Sequence, residues 1–168
     1  MKINKFKKLI ATVGATALIS SGLVVAVAAP AQAADPVCVT NAKTGTITCD
    51  GVLSTGAAYK TMVPGNFDGT FFFWQHGIRP SYPYPGYVPP TGVQQMAPAG
   101  SVDTSKDMLR RGHGLAAFDC STGGLHGWNT ADCVEMLNEL VTITKARISI
   151  KKTVVYGSSM AGAVLTPF

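Results

Sequence analysis

The sequence predicts an α/β fold, a mostly parallel sheet with helices on both faces, preceded by an antiparallel hairpin. Three observations predict it. Residues 70–75, Thr-Phe-Phe-Phe-Trp-Gln, form an apolar run without the alternation of a half-exposed strand, as in a strand covered on both faces. From residue 70 to residue 156, extended and helical patterns alternate as strand, helix, strand, helix, strand, an order that calls for right-handed crossovers in a parallel sheet. The last of these strands, 153–156, runs directly into a turn of small residues, Gly157-Ser158-Ser159-Met160-Ala161-Gly162.

The chain opens on Lys2, Lys5, Lys7 and Lys8, continues through an uncharged stretch from Leu9 to Ala29, and then shows Ala31-Gln32-Ala33, a small-x-small cleavage pattern. Residues 1–33 therefore read as a signal peptide. Its removal leaves one domain of about 135 residues, 34–168, with no second long apolar stretch and so no membrane span after cleavage. The alternative is an uncleaved anchor, since about 20 apolar residues can cross a bilayer. The four lysines leave with the leader while all acidic residues stay, so the formal charge falls from +5 to about +1. That removes the electrostatic basis for nucleic-acid binding.

Four cysteines, Cys38, Cys49, Cys120 and Cys133, lie in the exported part, where an oxidising compartment lets disulfides persist. The spacings lack the close Cys-x-x-Cys pairs that zinc takes, so no metal site is expected. Cys38 and Cys49 flank a hairpin, 37–40 and 46–48, around Asn41-Ala42-Lys43-Thr44-Gly45. The expected pairing is Cys38 with Cys49 and Cys120 with Cys133, each closing a loop short enough to contribute roughly 3 kcal/mol or less.

Further along, 58–63 reads as a strand ending at Pro64, and Gly65-Asn66-Phe67-Asp68-Gly69 supplies a turn before the Phe-rich strand. That strand stops at His76-Gly77. A long loop rich in Pro and Tyr, 79–100, follows; loops of this length in a compact domain are functional or mobile. Residues 101–111 read as a helix with Asp103 near its start and Arg110 and Arg111 at its end, as the helix dipole favours. Gly114 to Phe118 is a short buried strand, and 119–127 a Gly-rich loop. Asn129 can cap a helix whose apolar positions Cys133, Met136, Leu137, Leu140 and Val141 share one face.

A serine hydroxyl is a poor nucleophile at neutral pH, so hydrolases hold it where a base can reach it and where backbone N–H groups meet the developing oxyanion. A tight strand-to-helix turn does both, and small neighbours let it approach the adjacent strands; hence Gly-x-Ser-x-Gly. Gly157 and Gly162 are present here, with Ala161 at the position two after Ser159. Asn66-Phe67-Asp68-Gly69-Thr70 leading to Trp74-Gln75-His76-Gly77, Leu109-Arg110-Arg111-Gly112 before an apolar strand, and the turn 157–162 together resemble the secreted bacterial α/β-hydrolases. Against that family's Gly-His-Ser-Met-Gly-Gly elbow, Ser158 stands at the His position, Ser159 at the Ser and Ala161 at the first following Gly. The resemblance implies an α/β-hydrolase fold, hydrolysis of an ester or, less often, a peptide bond in a small-molecule substrate, a Ser-His-Asp triad, and no cofactor. It makes Ser159 the nucleophile and the N–H groups of Ile78 and Met160 the oxyanion donors, with His76 and Gly77 shaping the oxyanion loop.

Other readings of the same residues stand beside this one. Ser158 and Ser159 can serve as helix caps, or Ser158 can itself be the nucleophile. His76 has a catalytic base as its alternative to a structural role, His113 and His126 read as loop residues, and the Tyr and Trp residues as packing groups, with the Pro and Tyr loop available to wall a pocket. In the family the acid and the histidine follow the serine on later loops, and only nine residues follow Ser159. The chain is therefore expected to be the N-terminal part of a longer secreted enzyme, with strand 153–156 left as an apolar edge. The alternative function is an exported, non-catalytic binding module.

Overall fold

The computed structural model describes residues 35–77, 85–86, 98–120 and 130–167. The leader, Ile78, most of the Pro and Tyr loop, His126 and Asn129 lie outside these residues. Six strands and three helices are seen: β1 (Val37–Thr40), β2 (Ile47–Val52), β3 (Ala58–Val63), β4 (Thr70–Gln75), α1 (Val102–Arg110), β5 (Gly114–Phe118), α2 (Thr130–Arg147), β6 (Lys152–Gly157) and α3 (Ala161–Leu165). The strands form one sheet in the order β1-β2-β3-β5-β4-β6.

The sheet is mixed, which corrects the expectation of a mostly parallel one. β1 with β2, β2 with β3 and β3 with β5 are antiparallel; only β5 with β4 and β4 with β6 are parallel. The physical reason is the connection between β3 and β4. Residues 64–69 make a turn in which the Phe67 N–H bonds to the Pro64 carbonyl at 3.1 Å and the Asp68 carboxylate accepts the Thr70 N–H at 2.7 Å. Six residues are too few for the crossover that a parallel neighbour needs. β4 therefore returns against the direction of β3 and leaves a gap that β5 fills. The helices between β4 and β5 and between β5 and β6 then keep those three strands parallel.

The hairpin is longer on its second arm than the sequence suggested. β2 extends to Val52, and Cys38 sits directly opposite Cys49 in the register. The Cys38–Cys49 and Cys120–Cys133 pairs lie at disulfide distance, with Cα atoms 4.0 and 5.5 Å apart. The second pair joins the end of β5 to the first turn of α2, and both of its cysteines are buried. Pairs of this kind fit an oxidising compartment such as the extracellular space.

β4 separates two layers. Phe71 and Phe73 point into a core with Phe118, Met136, Leu137, Leu140 and Val164, so α2 and α3 cover this face. Phe72 and Trp74 point to the other face, where both rings meet Tyr156 and the Tyr156 hydroxyl meets Met108 Sδ of α1 at 3.7 Å. Burial there pushes the Tyr156 phenol up to about 12. The unbroken apolar run at 70–75 is thus explained by helices on both faces. β5, flanked by β3 and β4, is buried at all five residues, with Ala116 and Ala117 keeping it thin between layers.

Local signals close the elements. Ser101 caps α1 by accepting the Thr104 N–H, and Asp107 is held below the usual carboxylate range by hydrogen bonds from Arg110 and Arg111. Glu139 of α2 accepts from the N–H and hydroxyl of Ser54 at 2.7 and 2.8 Å, fastening the helix to the turn after β2. Among the described residues no helix is long and apolar enough to cross a membrane.

Two outcomes test this architecture. Phe73→Ala removes a fully buried ring between β4 and α2 and is expected to cost about 3–5 kcal/mol of stability, read by urea unfolding. Asp68 is held below its ordinary 3.8, first by the Thr70 N–H, which outweighs the opposing effect of burial, and then by the charge of His113. The folded state therefore binds this proton less tightly than the unfolded chain. The resulting stabilisation is complete above the unfolded value and is lost as pH falls through the lowered folded one. Stability measured against pH in Asp68→Asn should show a shallower acid limb than in the parent; an unchanged limb would show that Asp68 contributes nothing there.

Candidate functional site

Because β4, β5 and β6 are parallel, their C-terminal ends lie at one edge of the sheet. The residues that follow, His76-Gly77, Asp119-Cys120 and Ser158-Ser159-Met160, gather there, where open α/β sheets hold their ligands. Gly157 pairs with Gln75 across the parallel ladder, and the Ser158 N–H reaches the Gln75 carbonyl at 3.4 Å. A Cβ on Gly157 would stand 2.5 Å from that carbonyl oxygen and against the methyl of Ala161. Only glycine lets the turn come this close, and a small residue at 161 is part of the same contact.

The chain then reverses at Ser159, whose φ is +56°, the one non-glycine residue with positive φ among those described. A serine in the left-handed region carries steric strain of order 1–2 kcal/mol. Its side chain is exposed at the tip of the turn. Met160, buried and helical at φ −51°, precedes α3. The N–H groups of Ala161, Gly162 and Ala163 return to the carbonyls of Ser158, Ser159 and Met160. No described acceptor takes the Met160 N–H. Gly162 has open space around its Cα, so its side-chain position is unconstrained, unlike that of Gly157.

Gly77 packs on this turn from β4. A Cβ there would lie 2.9 Å from Ser159 Cβ, 3.1 Å from the Ser158 carbonyl and 3.5 Å from Ser159 Oγ. The His-Gly segment after β4 and the serine turn after β6 are therefore in contact, although 82 positions separate Gly77 and Ser159 in the chain.

His76 is buried beneath them. Its Nε2 accepts the Cys120 N–H at 3.0 Å and lies 3.7 Å from Asp119 Oδ1, while Nδ1 faces the Gly77 carbonyl at 2.5 Å. This arrangement places the ring proton on Nδ1 and the lone pair on Nε2. Both nitrogens are occupied in joining the loop after β4 to the end of β5. Gln75, also buried, donates to the His76 carbonyl at 3.1 Å. Among the described residues its Oε1 has no hydrogen-bond partner. Sequence reading named Gln75 only within the Trp74-Gln75-His76-Gly77 match and gave neither Gln75 nor Asp119 a role; the signal was a polar residue ending each of two apolar strands.

His113 belongs elsewhere. It precedes β5, at the opposite end of the strands from Ser159, with Nδ1 2.9 Å from Asp68 Oδ2 and its ring against Phe72. Among the described residues no group of three or more His, Cys, Asp or Glu is placed to hold a metal ion.

No protein-family model matches the chain, and no curated protein matches it. Among solved structures, an acetyl xylan esterase from Paenibacillus sp. R4 is similar at a TM-score of 0.47 and 13% identity, over 81% of this chain and 50% of that one. The chain thus spans about half the length of that protein. Likeness at this level assigns no chemistry to any residue.

The left-handed backbone at Ser159 gives a direct test of the turn. Glycine relieves the strain and alanine does not, so Ser159→Gly is expected to be about 1 kcal/mol more stable than Ser159→Ala in urea unfolding. Equal stabilities would mean that the turn does not hold this conformation.

Proposed function

We propose that the protein is a secreted serine hydrolase of the α/β type, that Ser159 is its nucleophile, and that it acts on an ester bond in preference to a peptide bond. The observation that carries this reading is the positive φ of Ser159 at the sharp junction of β6 and α3. A strained backbone at a strand-to-helix turn is what presents a serine Oγ clear of its neighbours while leaving N–H groups behind it. The exposure of Ser159, the contact with Gly77 and the uncommitted Met160 N–H support the same reading. In it, Ser159 Oγ attacks the acyl carbon, and the Met160 and Ile78 N–H groups receive the negative charge on the carbonyl oxygen. Secretion rests on the leader pattern and is supported by the two cysteine pairs.

The proposal extends to the groups that activate Ser159. His76 is committed on both nitrogens, and His113 lies at the other end of the sheet. β6 has a strand neighbour, β4, on one side only among the described residues. Among the described residues neither histidine is placed to act as the base for Ser159, so the acid and the base are proposed to lie outside the described residues.

A fluorophosphonate probe tests the nucleophile. On the folded, secreted protein, labelling is expected at Ser159 and is expected to vanish in Ser159→Ala; a folded protein that stays unlabelled would reject the hydrolase reading. Turnover of a chromogenic short-chain ester by the same protein is expected to be lost in Ser159→Ala; turnover that survives the substitution would overturn Ser159 as the nucleophile.

A further inference from the structure

A second concave site lies on the antiparallel half of the sheet, separated from Ser159 by β5 and β4. The C-terminal half of α2 stands off from β1, β2 and β3 and leaves a cavity of about 240 Å³. Ile47 and Val63 form its sheet wall, Ile143 and Ile148 its helix wall, and the Cys38–Cys49 pair closes one side. The walls are almost wholly apolar. Thr144 lines the cavity too, but its hydroxyl is bonded back to the Leu140 carbonyl at 2.6 Å.

The polar groups are at the rim. Arg147, in the last turn of α2, donates from Nη1 to the Tyr59 hydroxyl at 3.3 Å and from Nη2 to Asp35 Oδ1 at 2.8 Å. A guanidinium has five N–H donors, and the Tyr59 oxygen, which accepts from Arg147, keeps its own proton to donate. Two donors therefore converge on the rim. The acidic group facing them is Asp35, whose side chain is 99% exposed and whose carboxylate already sits on Arg147.

We infer that this cavity binds a medium-chain carboxylate, the chain against the four aliphatic residues and the head group on Arg147 and Tyr59. Charge complementarity selects the head group, since the rim presents donors and the Arg147 cation, and among the described residues the anion on Arg147 is the fully exposed Asp35, which a ligand carboxylate can replace. The Asp35 carboxylate marks the position the ligand head would take. Volume sets the chain length. An apolar cavity of about 150 Å³ holds benzene, so by proportion this one accepts roughly eight to ten carbons. The inference is independent of the role of Ser159.

Octanoate titrated into the full chain, followed by calorimetry and by the methyl NMR signals of Ile47, Val63, Ile143 and Ile148, tests this. Saturable binding that shifts those methyls is expected. Arg147→Met keeps the side-chain stem and should weaken octanoate at least tenfold while leaving 1-octanol unchanged. Asp35→Ala removes the competing carboxylate and should tighten octanoate severalfold. Val63→Trp fills the cavity and should abolish binding; if that variant fails to fold, the other two still decide. Absence of methyl shifts would overturn the site. Octanol, octylamine and octanoate bound equally, with no effect of Arg147→Met, would overturn carboxylate recognition.

Discussion

The closeness of β6 to β4 at their C-terminal ends governs what this fold can present. Gly157 lies against the carbonyl of Gln75 with no room for a side chain, and Ala161 closes on the same spot from the first turn of α3. The chain therefore leaves β6 abruptly. Held this tightly, it must turn within one residue, and Ser159 takes the left-handed conformation that results. The strain is local, but the contacts that impose it come from β4, β6 and α3 together. Strain of this kind persists only where the surroundings over-determine it.

A second set of contacts holds the opposite side of the site. His76 takes a backbone N–H from Cys120, Gln75 supports the His76 carbonyl, and Cys120 is paired with Cys133 at the start of α2. Buried polar groups are stabilising only when bonded, so this chain of contacts fixes the loop after β4 relative to β5 and α2. It also explains why a histidine near the serine in space is unsuited to serve it as a base: its two nitrogens are already spent on structure.

The mixed sheet divides the molecule into two working halves. The parallel strands bring three loops to one edge and form the serine turn. The antiparallel strands, tied by Cys38 and Cys49, carry the Arg147 cavity under the end of α2. The short β3 to β4 turn creates this division, because it forces β4 to reverse and admits β5 between the two halves. Asp68 fixes that turn by accepting the Thr70 N–H and faces His113.

Much of this was legible in the chain itself. Period and composition identify β4 as covered on both faces and α2 as one-sided, and Gly, Ser and Ala at 157–162 mark a tight turn, because these signals depend on neighbours in sequence. The cysteine pairing was legible for the same reason, since each pair spans one short loop. Sheet order was not, because the apolar runs at 58–63 and 114–118 carry no mark of which strand each will adjoin. That Gly77 touches Ser159, that Gln75 and Asp119 lie beneath the turn, and that Ile47 and Ile148 share a cavity with Arg147 were decided only by the tertiary structure. Those contacts join residues tens of positions apart, and their distances follow from how strands and helices pack, which local sequence does not encode.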